Sequence, residues 1–179
     1  MNNEIKFGTD GWRAITGKTF NETNVNIAVK AIGKYIYDNF GAEKNIIIGY
    51  DPRNKADYFA EFSAKLLANF GFNVILSNNV VPTPVLAYNA KFLNACALMF
   101  TASHNPPEYL GLKFIPDYAG PATSDITNKI TENLDKSFDK FSDEGDVCLT
   151  DFSPAYFQHL SELINYKKIK GACKHAPSI

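Results

Sequence analysis

The densest chemistry in the chain lies in Thr101-Ala102-Ser103-His104-Asn105-Pro106-Pro107-Glu108-Tyr109-Leu110-Gly111-Leu112-Lys113-Phe114. A hydroxyl, an imidazole, an amide and an ammonium fall within one short stretch. Helix is forbidden at its centre, because each proline lacks a donor and steers the residue before it away from the αR region. The preceding Cys96-Ala97-Leu98-Met99-Phe100 is apolar and has the length of a buried strand. Ser103 is therefore expected where a strand ends in a stiff loop. In an α/β sheet such an end faces the ligand crevice, which makes the Ser103 hydroxyl a candidate nucleophile or phosphate carrier.

An anionic substrate would need placed cations, since the net charge of −1 offers no general positive field. The same balance gives no electrostatic reason to expect nucleic acid or an anionic membrane as partner. Arg13, Arg53 and Lys113 are the candidates. Arg13 ends the glycine-rich Phe7-Gly8-Thr9-Asp10-Gly11-Trp12-Arg13, where Gly8 and Gly11 permit positive φ and close approach of the backbone to a ligand. Arg53 follows a turn-fixing proline in Asp51-Pro52-Arg53, a pattern that predicts an ion pair bracing a loop rather than chemistry. Lys113 alternates with Leu112 and Phe114 and so lies on the opposite face of a strand. Gly17-Lys18-Thr19 resembles a P-loop, but its spacing from Gly11 is wrong and no strand precedes it, so nucleotide binding is discarded. Asp143-Glu144-Gly145-Asp146 lacks regular ligand spacing and reads as a solvated turn.

The elements that must position these residues alternate. Val25, Ala28, Val29, Ile32, Tyr35, Ile36 and Phe40 keep helical spacing, predicting a helix over 24–39 that stops near Gly41. A buried strand over 45–50 follows, then a helix over 56–70 with Phe59, Phe62, Leu66, Leu67 and Phe70 on one face and Gly71 as its cap. Next come a strand over 72–77, a turn at Val81-Pro82-Thr83-Pro84 and a short helix to about 93. After the serine loop, a strand at 112–115 and a helix from about 124 carrying Ile126, Ile130 and Leu134 are expected. Ser153-Pro154 opens a last helix with Tyr156, Phe157, Leu160, Leu163 and Ile164, and His159 on its polar side, before a frayed tail at 171–177. Such alternation predicts a layered α/β/α domain with a mostly parallel mixed sheet, whose strand ends near 50, 80 and 100 share one edge.

At 179 residues, 45% of them hydrophobic, the chain can bury one core. We expect one domain over 1–150 and a helix and tail over 151–179. Its start, Met1-Asn2-Asn3-Glu4-Ile5-Lys6, has no signal-peptide core, and no apolar run approaches the ~20 residues of a membrane span. A soluble cytoplasmic protein is expected, with no membrane and no nucleic acid among its partners. Cys96, Cys148 and Cys173 form neither a redox pair nor a zinc pattern and are expected to be reduced, Cys96 within the core.

The serine loop, the loop ending in Arg13 and Gly49-Tyr50-Asp51-Pro52-Arg53 stand in an order that resembles the first domain of the α-D-phosphohexomutases, the phosphoglucomutase/phosphomannomutase family. The turn at Val81-Pro82-Thr83-Pro84 is similar as well. The likeness covers about residues 5–169, the first of four domains in that family.

This resemblance implies an intramolecular phosphotransferase that interconverts hexose 1-phosphate and 6-phosphate through a phosphoserine and a bisphosphate intermediate. Glucose or mannose phosphate is the implied substrate, since the amino-sugar subgroup more often begins this loop with Ser-Ala-Ser. By motif position Ser103 would carry the phosphoryl group and, through it, be one ligand of Mg2+. Arg13 and Lys113 would stabilise the transferring charge and assist proton movement. His104, Asn105 and Thr101 would shape the loop and contact phosphate or substrate. A glucose 1,6-bisphosphate-type activator is implied too. The remaining metal ligands, the sugar-reading loop and the distal phosphate grip belong to later domains of the same enzyme, so the fragment alone should be inactive. The alternative is a non-catalytic sugar-phosphate-binding or interaction module. Leu110 departs from the family, which usually has asparagine there, and this implies a lost polar contact.

Overall fold

The protein is described by a computed structural model covering residues 5–8, 11–166 and 168–169. Thr9 and Asp10 of the glycine-rich loop, the tail at 171–177 and Cys173 lie outside these residues.

A six-stranded mixed sheet forms the middle layer, in the order β1-β5-β4-β2-β3-β6. Its strands are β1 (Trp12–Ile15), β2 (Ile46–Tyr50), β3 (Val74–Ser77), β4 (Cys96–Phe100), β5 (Tyr109–Ile115) and β6 (Val147–Thr150). β4, β2, β3 and β6 run parallel, whereas β5 is antiparallel to both β4 and β1. Ile46, Ile47 and Ile48 are fully buried because helices cover β2 on both faces.

The helices are α1 (Glu22–Phe40), α2 (Ala56–Phe70), α3 (Thr83–Phe92), α4 (Ser124–Glu132) and α5 (Ser153–Leu163). α1, α2 and α4 pack with Phe20, Ile48, Leu98 and Phe114 in the larger core, while α3 and α5 cover Ile47, Ala97 and Met99 on the opposite face. The α/β/α layering and the mostly parallel sheet are thus as the alternation predicted. α2 has the expected bounds, and Gly71 caps it with φ 115° and an N–H bond to Ala68 O. α1 begins two residues earlier than its apolar stripe suggests, because the Asn21 side chain accepts from the Asn24 N–H as N-cap.

Several local expectations need correction. Phe40 leaves the core stripe and lies under the Lys44 ammonium, 4.8 Å from ring centroid to Nζ. His159 is not a solvent-facing member of α5; its ring stacks on Tyr88 of α3 at 4.7 Å. β1 and β6 have no counterpart among the expected strands. β6 follows directly on the acidic turn at 143–146, whose Gly145 N–H bonds Ala68 O and whose Asp146 carbonyl accepts from Val74 N. That turn docks β6 onto β3.

Candidate active site

Two adjacent parallel strands set the site. Tyr50 and Phe100 are register partners, so the loops after β2 and β4 leave the sheet side by side, joined by a bond from Asp51 N to Phe100 O. The loop at 101–108 bends at Ser103, which adopts φ 54°, a left-handed conformation uncommon for a residue with a side chain. Its N–H bonds the Thr101 hydroxyl at 3.0 Å, and the Asn105 N–H closes a turn on Ala102 O. Ser103 and His104 are exposed, with Ser103 Oγ 3.5 Å from His104 Nδ1.

Arg53 holds this loop from below. Nη1 donates to Pro106 O at 2.8 Å and Tyr109 O at 3.0 Å; Nη2 donates to Ser103 O at 2.8 Å and Asn105 O at 2.7 Å. Nε faces the Asp51 carboxylate at 3.4 Å. The sequence pattern indicated an Asp-Arg brace; its reach across to three carbonyls of the serine loop and that of Tyr109 at the start of β5 depends on the β2–β4 register and has no local signature.

Arg13 arrives from β1, where it pairs with Gly111 of β5. Paired residues share a face, and Lys113, two positions along, lies on that face as well. Arg13 Nη1 donates to Asn105 Oδ1 at 3.2 Å, tying the N-terminal strand to the serine loop. Gly11, φ 88°, does approach a backbone closely, but that backbone is β5: a Cβ there would strike Leu112 O and lie 2.8 Å from Lys113 Cα. The expected approach to a ligand is therefore an approach to the next strand. Gly111 serves a similar end, its missing Cβ leaving room for Thr101 O and the Arg13 stem. Leu110 is fully buried in the larger core and paired with Ala14, so an apolar contact occupies the position of the implied polar one.

Ser103, Asn105 and Pro107 line an open depression of about 590 Å3 with Asp51, Pro52, Arg53 and Asn54. Arg13, His104, Thr101 and Lys113 are not among its lining residues. Burial, helped by the Asp57 charge, raises the Tyr50 phenol above its ordinary pKa. Among the described residues no group of three or more His, Cys, Asp or Glu could hold a metal ion. Ser103 offers a single oxygen, short of the roughly six that Mg2+ prefers.

Residues 4–140 match the family described as phosphoglucomutase/phosphomannomutase, alpha/beta/alpha domain I. The chain belongs to this family. A Haemophilus influenzae protein named "Probable phosphomannomutase" is 39% identical over 94 residues, covering 52% of this chain and 19% of its own. The phosphoglucosamine mutase of Thermotoga petrophila is 31% identical over 133 residues, 74% of this chain and 29% of its own. A solved structure from Thermus thermophilus that carries the name of a phosphomannomutase superposes with a TM-score of 0.83 and 32% identity, over 93% of this chain and 38% of that one. The chain thus spans well under half the length of these relatives, in which the family's first domain is one part of a longer mutase. No helix among the described residues is long and apolar enough to cross a membrane.

Proposed function

We propose that this chain is the phosphoryl-carrying domain of a phosphohexomutase, with Ser103 as the carrier. The observation that carries the reading is Ser103 itself: in a family-matched loop at the C-terminal end of a parallel strand, held left-handed, exposed, and bordering a depression. In the half-reaction, Ser103 Oγ forms a bond to phosphorus as the bond from phosphorus to the donor sugar oxygen breaks. The seryl proton leaves to His104 Nδ1 or to water, and the freed sugar oxygen takes up a proton. Arg13 and Lys113, on one face of adjacent strands, face the equatorial charge of the transferring group, where positioned cations supply most of the rate. Asn105, held by Arg13, and Thr101, bonded to the Ser103 N–H, keep the loop in shape and meet phosphate or substrate.

Mg2+ would supply further charge neutralisation, with phosphorylated Ser103 as one ligand. The described residues do not make a metal site by themselves. Glucose or mannose 1- and 6-phosphates are the proposed substrates, a glucose 1,6-bisphosphate-type molecule the activator, and the later domains of the same enzyme the partners. The domain at 1–150 and the following helix and tail at 151–179 would adjoin them, in the cytoplasm. Without those domains the chain would not turn over.

Mass spectrometry tests the reading. After incubation with glucose 1,6-bisphosphate and Mg2+, a full-length protein containing this chain should gain the mass of one phosphoryl group, and its Ser103→Ala variant should gain none. A full-length protein that stays unmodified would overturn it.

A further inference from the structure

The Arg53 guanidinium has five N–H donors, and five acceptors face it: the carbonyls of Ser103, Asn105, Pro106 and Tyr109, and the Asp51 carboxylate. A fork so engaged has no donor left for a phosphate, although Arg53 borders the same depression as Ser103. Its function must be sought in what it holds. Three of the four carbonyls belong to residues 103, 105 and 106, the segment in which the backbone turns left-handed at Ser103. Nothing intrinsic to serine favours that turn, and a strained φ/ψ persists only where its surroundings over-determine it. The carbonyls would also repel a phosphoryl group if they faced it; bound to Arg53, their oxygens are directed at a cation instead.

We infer that Arg53, anchored by Asp51 at the end of β2, is the positioning residue of the serine loop: it holds Ser103 in its left-handed conformation and keeps the loop carbonyls turned away from the incoming phosphoryl group. The inference deepens the proposed function and rests on it for its chemical half, though not for its structural half. Lysine cannot replace Arg53, because three donors on one nitrogen cannot reach four carbonyls spread across a planar fork. A misplacement of about 1 Å at a reacting oxygen costs about 100-fold in rate.

The test compares wild-type chain, Arg53→Lys and Arg53→Ala, the last with and without guanidinium at tens of millimolar. Nuclear magnetic resonance reads the Ser103 Cα and Cβ shifts, which respond to its backbone conformation, and amide exchange over 103–109. Mass spectrometry reads the rate of Ser103 phosphorylation by glucose 1,6-bisphosphate in a full-length protein. Both substitutions should move the Ser103 shifts out of the left-handed range, speed exchange and slow phosphorylation about 100-fold. Guanidinium, but not methylammonium, should restore both readouts in Arg53→Ala. A merely stabilising arginine would change the melting temperature and leave the Ser103 shifts in place; that result overturns the inference, as does rescue by methylammonium. If wild-type Ser103 accepts no phosphoryl group, the proposed function fails, while the shifts still decide the role of Arg53.

Discussion

At the scale of single residues, the candidate site is held by backbone contacts as much as by side chains. Gly11 shows this most sharply. Its φ of 88° is unfavourable for any L side chain, and a Cβ would collide with Leu112 O, an atom fixed in the sheet. Strain of this kind costs about 1–3 kcal/mol, and overpacking against a fixed neighbour adds a similar amount. Gly11→Ala is thus expected to lose about 2–6 kcal/mol in a urea melt, whereas Gly17→Ala, with open space around its Cβ, should lose only the cost of its positive φ. A melt in which the two variants coincide would refute the close packing of this loop on β5. The nature of this residue was legible as a glycine able to turn; the object it approaches was not, because β5 lies about a hundred positions downstream.

At the scale of elements, what could be read from sequence was whatever its own periodicity determines. The stripe at Val25, Ala28, Val29, Ile32 and Ile36 marks α1 because one helix face is buried, and the apolar run at 96–100 marks β4 because both its faces are. β1 and β6 were hidden for opposite reasons. Trp12, Arg13, Ala14 and Ile15 are too short a pattern behind a glycine-rich loop, and β6 is exposed at every position, so neither carries a strong signal. Their existence is decided by partners, β5 and β3. The same holds for α5, which among its described residues buries none fully, yet is fixed to α3 by Tyr88 against Tyr156 and His159. Asn89 is central to that junction: its buried amide donates to Val85 O and, at 2.9 Å, to Phe152 O just before α5. Asn89→Ala would leave a buried carbonyl unpaired, at about 1–3 kcal/mol. Hydrogen exchange should then show α5 losing protection while α1 and α2 keep theirs; uniform loss across the molecule would mean that α5 is not a separable layer.

At the scale of the whole molecule, one buried acid makes stability depend on alkali. Burial pushes the Cys96 thiol up to about 12 from its ordinary 9.0; the Lys44 charge and a backbone hydrogen bond from Asp117 oppose the shift, and the Asp117 charge assists it. The unfolded thiol therefore loses its proton at a pH where the folded one still keeps it. Stability from this group is intact below pH 9 and falls as pH rises toward 12, by about 1.4 kcal/mol per unit. Tyr35 and Tyr50, both raised by burial, steepen the fall above pH 10. Urea melts at pH 8 and pH 10 should show the loss, and Cys96→Ala should flatten the part between 9 and 10; an unchanged slope in that variant would assign the effect elsewhere.

The pairing of β1 with β5 also governs when a site can exist at all. Arg13 reaches Asn105 across 92 positions of sequence, and among the described residues β1 has only β5 beside it. Trp12 has a near partner in Phe20, on which its ring stacks, whereas the backbone of β1 finds its ladder only in β5. Arg13 is thus an early residue whose seat beside the serine loop is built by a strand far downstream.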